Sequence, residues 1–444
     1  MSRVPATNLQ LKNDSRIGVV GGGPAGSFFA LHVLRFAAQK KLRLHVTIFE
    51  GRDFSRAGPV GCAKCAGLLS AGAQRHLKTL NLTLPSEIIQ STADSYVLHM
   101  AGGTVEIFPP HHNRKIISVY RGRGPRLSPL SESVNFDEWL LHQAEQAGAC
   151  IKFCAVTAIT AGPHPAVHTG QTGYHFDLIV LACGINGRRI QFNGFDYHPP
   201  QTKMMIQDEL AQLPGQNRRI HVYFGRRRGI IFGATVPKGN FTNISLLTTD
   251  DRPSLKTVDR FLAESRAGGQ TQRLCGCKPH IAVSRAQGYF ADHFVAIGDA
   301  AATRLYKDGI GSAARTAERA AYTAVYSGIG AANFRRRYVP LCRRIALDNF
   351  FGRLLFASWE MTNRLPWLTH LWLHALNAVG GRLHSADRCR LALWNMFTGD
   401  DSYRHIFFSL LHPGVVGLLL TVGWRLRRGQ PEIKKVGETG EHIQ

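Results

Sequence analysis

Arg16-Ile17-Gly18-Val19-Val20-Gly21-Gly22-Gly23-Pro24-Ala25-Gly26 is an apolar run that breaks directly into glycines at the spacing Gly21-x-Gly23-x-x-Gly26 and then into a helical pattern. A strand that enters such a turn and leaves it as a helix holds a dinucleotide pyrophosphate. Gly21 permits the tight turn, Gly23 leaves room for phosphates against bare backbone, and Gly26 lets the helix pack close to the strand. The helix, opened by Pro24 and Ala25, then points its N-terminus at the negative charge. A second apolar run, Leu44 to Phe49, ends in Glu50, where a ribose-binding carboxylate is expected.

The chain has 444 residues, enough for two or three domains, since single cores stop growing near about 250–300 residues. A hydrophobic content of 44% fits a globular protein. The charge is unusual: 54 Lys and Arg against 30 Asp and Glu leave +24, which calls for an anionic partner. The basic residues are spread from Arg16 to Lys435, with no aromatic-interleaved stripe and no nucleic-acid motif, so nucleic acid is not expected as that partner. Met1 to Ser15 is polar and lacks the apolar core of a secretory signal, so the first domain is expected to fold in the cytoplasm. Nine cysteines in a reducing compartment are expected as thiols.

From the glycine turn the first helix runs to about Gln39. Gly58-Pro59-Val60-Gly61-Cys62-Ala63-Lys64-Cys65-Ala66-Gly67 is too irregular for a regular element and reads as a functional loop. Phe136-Asp137-Glu138-Trp139-Leu140-Leu141 begins a helix, and Asp177 to Ala182 is a short buried strand. Between Gln201 and Leu247 short strands alternate with basic turns, the pattern of an antiparallel sheet that walls a substrate pocket. Phe294 to Ala301 is a strand running into a loop, and Gly309-Ile310-Gly311 opens a long helix. The expected architecture is α/β. A Rossmann-like dinucleotide domain (16–200, completed at 291–327) is interrupted by an antiparallel-sheet substrate region (201–290). A helical, aromatic, membrane-associated region (328–428) follows, between a flexible start (1–15) and a disordered tail (429–444).

Five of the six tryptophans fall in the C-terminal region, where aromatics with Arg neighbours suit the level of lipid headgroups. Ile406 to Trp424 is nearly all apolar, broken by His412-Pro413-Gly414 and followed by Arg425, Arg427 and Arg428. It reads as an interfacial or re-entrant segment, a membrane span or a buried hairpin. For peripheral docking on an anionic membrane the arginines supply attraction, and Phe407, Phe408, Leu418 to Leu420 and Trp424 the apolar insertion.

Three separated segments resemble the geranylgeranyl reductase family of FAD-dependent oxidoreductases, part of the aromatic hydroxylase-like flavoprotein superfamily. They are the glycine turn with Glu50, the Cys65-Ala66-Gly67 loop, and Gly298-Asp299-Ala300-Ala301 followed by Gly309-Ile310-Gly311. The resemblance spans about residues 16–325. It implies FAD as cofactor, Asp299 on the ribityl hydroxyls, the helix at Gly309 aiming N–H groups at the N1/C2 carbonyl edge of the flavin, and an arginine such as Arg121 reaching the ring. It also implies reduction of a carbon–carbon double bond in an isoprenoid or other apolar substrate. A flavin monooxygenase and a membrane-docked carrier of electrons to quinone share the same features. No second glycine fingerprint is present, so the electron donor is NADPH or a partner protein.

Cys62-x-x-Cys65 and Cys275-x-Cys277 can be read as a four-thiolate metal or iron–sulfur site. Alternatively Cys65 is a flavin-facing catalytic thiol and no metal is held, or all four are small buried residues.

Overall fold

The computed structural model describes residues 9–62, 66–100, 102–109, 114–127, 135–211, 218–224, 229–265, 272–378 and 383–428. Its helices, in chain order, are α1 (Pro24–Gln39), α2 (Ala71–Thr79), α3 (Phe136–Gln146), α4 (Lys256–Glu264), α5 (Gly309–Tyr326), α6 (Ala331–Arg337), α7 (Val339–Arg364), α8 (Pro366–Leu376), α9 (Leu383–Thr398), α10 (Tyr403–Leu410) and α11 (Pro413–Arg427).

Ser15–Val20 lies centrally in a six-stranded sheet, parallel to Leu44–Phe49 on one side and Leu178–Leu181 on the other, with Phe294–Ala296 parallel beyond. These strands are near-continuous apolar runs because both faces are covered. Helix α1 starts on Pro24, whose missing N–H is no loss in a first turn, and ends before Lys41 in the left-handed region. Its Phe28, Phe29 and Val33 are fully buried, each worth about 1.5–3 kcal/mol of transfer free energy. Helices α1 and α5 pack together, so both glycine segments meet at the carboxyl edge of one sheet.

A seven-stranded sheet forms the second layer. Thr202–Ala211, Ile230–Lys238 and Phe241–Thr248 pair antiparallel, as expected. Ser95–Met100 and Gly103–Ile107 also belong to it, from the stretch assigned by sequence to the first domain, and Ser95–Met100 pairs with Arg219–Tyr223 in parallel. The sheet is thus neither confined to 201–290 nor wholly antiparallel. Its inward residues Tyr96, Leu98 and Met100 alternate correctly, but their partners lie more than a hundred residues on. Phe290–Ala291, at the far end of that range, pairs instead with Phe294–Ala296 in the six-stranded sheet.

Residues 9–15 are not a flexible lead-in: Leu11 is buried, and the Leu9 carbonyl accepts a 2.7 Å hydrogen bond from Ile329 N–H. The tail 429–444 lies outside the described residues. The C-terminal region is helical as expected. Phe334, Tyr338 and Cys342 pack on the core of the six-stranded sheet, while Trp359, Trp394, Tyr403, Val415 and Leu418 pack on the seven-stranded sheet.

Candidate active site

At Gly21 φ is +110°, a left-handed conformation that glycine adopts without strain, and a side chain there would strike the Ala182 carbonyl at 2.6 Å. Gly26 is closed to any side chain, since a Cβ would lie 1.9 Å from Gly21 O. Gly23 differs: its Cβ would meet only the Arg52 Nη2 at 3.3 Å, so the first turn of α1 faces open space with a guanidinium at its mouth. Arg52 escaped the sequence reading. Its backbone N–H donates to Glu50 Oε1 (2.8 Å), and its side chain stacks over Phe54.

Glu50, almost wholly buried, accepts from Gly22 N–H at 2.8 Å, which ties the end of the second strand to the glycine turn. The acid is therefore beside the cradle where the spacing put it. Ala25 bridges to the third segment, because a Cβ on Gly298 (φ +60°) would lie 2.9 Å from the Ala25 Cβ. Asp299 follows, half-buried; burial pushes its carboxyl up and the Arg121 charge holds it back. Arg121 is thus near Asp299 and is fixed by a two-pronged ion pair, Nε to Asp137 Oδ1 at 2.8 Å and Nη2 to Oδ2 at 2.9 Å. A Cβ on Gly309 would meet only Asp299, 4.0 Å away, so the N-terminus of α5 also faces open space. Ile310 is buried, and Gly311 leaves room for the Asp308 carboxylate, which accepts from Ser70 Oγ at 2.9 Å.

Two open cradles on one sheet edge, each at a helix N-terminus, fit an extended dinucleotide: phosphates at Gly23 and a ring at Gly309. Cys183 packs under this edge with its thiol pushed up to about 12 by burial, so it stays neutral. Cys65 lies outside the described residues. Among the described residues no group of three or more His, Cys, Asp or Glu is placed to hold a metal.

The seven-stranded sheet turns a mixed face toward this edge. Phe232 packs with Tyr306 and Phe356 at ring separations of 6.4 and 6.3 Å. Farther along the same layer a polar chain runs from Gln207 through Ser245 and Asn243 to Glu209, which pairs with buried Lys238 at 3.1 Å. Lys238 also sits 4.5 Å from the Tyr120 ring, next to Arg121. Sequence reasoning missed this chain, because its members come from three strands.

No protein-family model matches the chain, and no curated protein matches it. Solved structures do. A geranylgeranyl bacteriochlorophyll reductase-like protein from Thermoplasma acidophilum superposes over 93% of this chain and 100% of its own, with TM-score 0.66 and 15% identity. A flavoprotein/dehydrogenase from Cytophaga hutchinsonii covers 93% and 99% at TM-score 0.63 and 14% identity. The chain shares the fold of these two proteins. A variant of the halogenase PltM, solved in complex with FAD, has a similar fold at TM-score 0.58 and 12% identity over 94% of this chain and 93% of that one.

Proposed function

We propose that the chain is an FAD-dependent oxidoreductase that reduces a carbon–carbon double bond in an isoprenoid or similar apolar substrate. The observation that carries the reading is the pair of open cradles at Gly23 and Gly309 joined through Ala25 and Gly298. Gly21 to Gly26 and Arg52 would hold the pyrophosphate, Glu50 the ribose, and Asp299 with the first turn of α5 the ribityl chain and ring edge. Bound there, FAD supplies hydride chemistry. Arg121 is kept rigid beside Asp299 by Asp137, and the aromatic wall of Phe232, Tyr306 and Phe356 excludes water and suits an apolar ligand. Cys65 is proposed as a thiol lining the reactive face; Cys65→Ser should keep FAD and slow turnover about tenfold, about 1.4 kcal/mol of barrier.

The polar chain from Gln207 to Lys238 favours a second reading, a monooxygenase that hydrogen-bonds a polar aromatic substrate. Purified protein separates the two. Anaerobic NADPH or a reduced partner protein followed by a polyprenyl substrate should give saturated product without oxygen uptake. Oxygen uptake with hydroxylated product supports the monooxygenase, and protein without bound FAD removes both.

Docking on an anionic membrane is proposed with it. No single helix among the described residues is long and apolar enough to cross a membrane; α10 and α11 pass together but meet at a 51° bend. Their inward side is core, and it includes Leu418, which the sequence reading had assigned to insertion. The outward side is Phe408, Leu411, Val416, Leu420 and Trp424, with Arg428 stacked 3.9 Å over the Trp424 ring. Phe351 packs on both Phe408 and exposed Phe350, so the apolar strip continues onto α7.

A further inference from the structure

Lys307 belongs to none of the motifs above. It stands two residues before α5, in a loop whose backbone is bent twice: Tyr306 and Asp308 on either side both have positive φ (62° and 53°). Lys307 N–H donates to Leu305 O at 2.8 Å, closing a three-residue turn around Tyr306. Such turns with a left-handed, non-glycine centre are rare and cost of order 1–3 kcal/mol, and they persist where surrounding structure imposes them, commonly at functional sites. The effect here is to throw the Lys307 side chain away from α5 and across to the seven-stranded sheet, where Nζ lies 4.8 Å from the Phe232 ring centroid. The ammonium therefore sits in the gap between the cofactor edge and the sheet.

It has no ion pair with a carboxylate among the described residues. Asp308 is engaged by Ser70 and by Arg315 at 3.5 Å, and Glu209 is engaged by Lys238. Asp400 lies near Asp308, and Asp299 lies beyond Gly309. The charge that bears on Lys307 is another cation, Arg304, itself buried with Nε and Nη2 unpartnered. Burial first, and Arg304 second, pull the Lys307 ammonium down to about 8. A half-buried cation without a counter-ion is costly unless a ligand brings the negative charge.

We propose that Lys307 is the counter-charge for the anion that forms when a flavin ring lodged at the start of α5 is reduced. The assignment rests on the FAD reading. Reduction by two electrons and one proton leaves one negative charge on the N1/C2 side of the ring, the side that the N-terminus of α5 would face. Lys307 adds a full positive charge to the partial charge of that helix end. It stabilises the reduced form over the neutral oxidised form and so raises the reduction potential.

The test is the midpoint potential of the holoprotein, read against redox dyes from pH 6.5 to 9.5. At pH 7 Lys307→Met should shift the oxidised-to-reduced ratio at fixed dye potential at least tenfold toward oxidised, about 30 mV for a two-electron couple. Lys307→Arg should stay within threefold of the parent. The parent should show a break in potential against pH near 8 that Lys307→Met lacks. Lys307→Met with full FAD and an unshifted potential overturns the assignment and leaves the FAD reading standing. Parent protein that holds no FAD overturns both.

Discussion

Arg121 and Asp137 form a buried, two-pronged ion pair at 2.8 and 2.9 Å, joining the segment just after the strand Ile116–Val119 to the first turn of α3. Asp137 is wholly buried and paired with Arg121, and the position of Arg121 beside Asp299 depends on Asp137. Breaking a buried pair on one side is costly. Asp137→Ala should lose about 3–5 kcal/mol in denaturant unfolding. Arg121→Ala/Asp137→Ala should lose less than the two single losses added. Additive losses would mean that the two groups are not coupled.

Gly23→Val tests the phosphate cradle without breaking the fold. Its Cβ would displace only a flexible Arg52 terminus, whereas a side chain at Gly26 would strike backbone at 1.9 Å. The variant should unfold at close to the parent midpoint yet be purified with less than a tenth of the parent FAD, measured by absorbance after release. Stoichiometric FAD on Gly23→Val would place the cofactor elsewhere.

The outward stripe of α11 is separable from its inward one. Leu420 is 70% and Trp424 50% exposed, while Val415, Leu418 and Val422 are core. Leu420→Glu/Trp424→Ala should keep folding and FAD content but abolish flotation with anionic vesicles in high salt. Low-salt attraction through Arg425, Arg427 and Arg428 should partly remain, because salt screens only the charge component. Undiminished high-salt flotation would assign the stripe to something other than lipid.

His32 on α1 is buried against Phe36 and depressed to about 3, first by burial and then by Arg35 and His76; His76 is likewise held near 4 by burial, Arg315 and Arg75. Folded pKa values below the ordinary 6.5 mean that the unfolded chain binds more protons in acid. Stability is full above about 6.5 and falls as pH drops toward 4, by up to about 1.4 kcal/mol per pH unit for each histidine. His32→Leu should flatten this decline in urea midpoints measured from pH 7 to 4.5. An unchanged slope would show that His32 is solvated in the native state.

The sequence by itself determined the parallel layer and the edge at which its two glycine segments meet. A glycine turn, its preceding strand and its following helix are consecutive in the chain, and steric rules act over those few residues. Gly21, Gly26, Glu50 and Asp299 were legible for that reason, as was the start of α5 at Gly309. Only the tertiary structure decided the membership of the second sheet, where Ser95–Met100 pairs with Arg219–Tyr223. It alone produced the link of Arg121 to Asp137, the polar chain from Gln207 to Lys238, and the placement of Lys307 over Phe232. Those contacts join residues far apart along the chain. A charge or a hydrogen-bonding group carries no mark in sequence of which distant partner it will meet; packing of the two layers fixes that, and with it which cations meet a carboxylate.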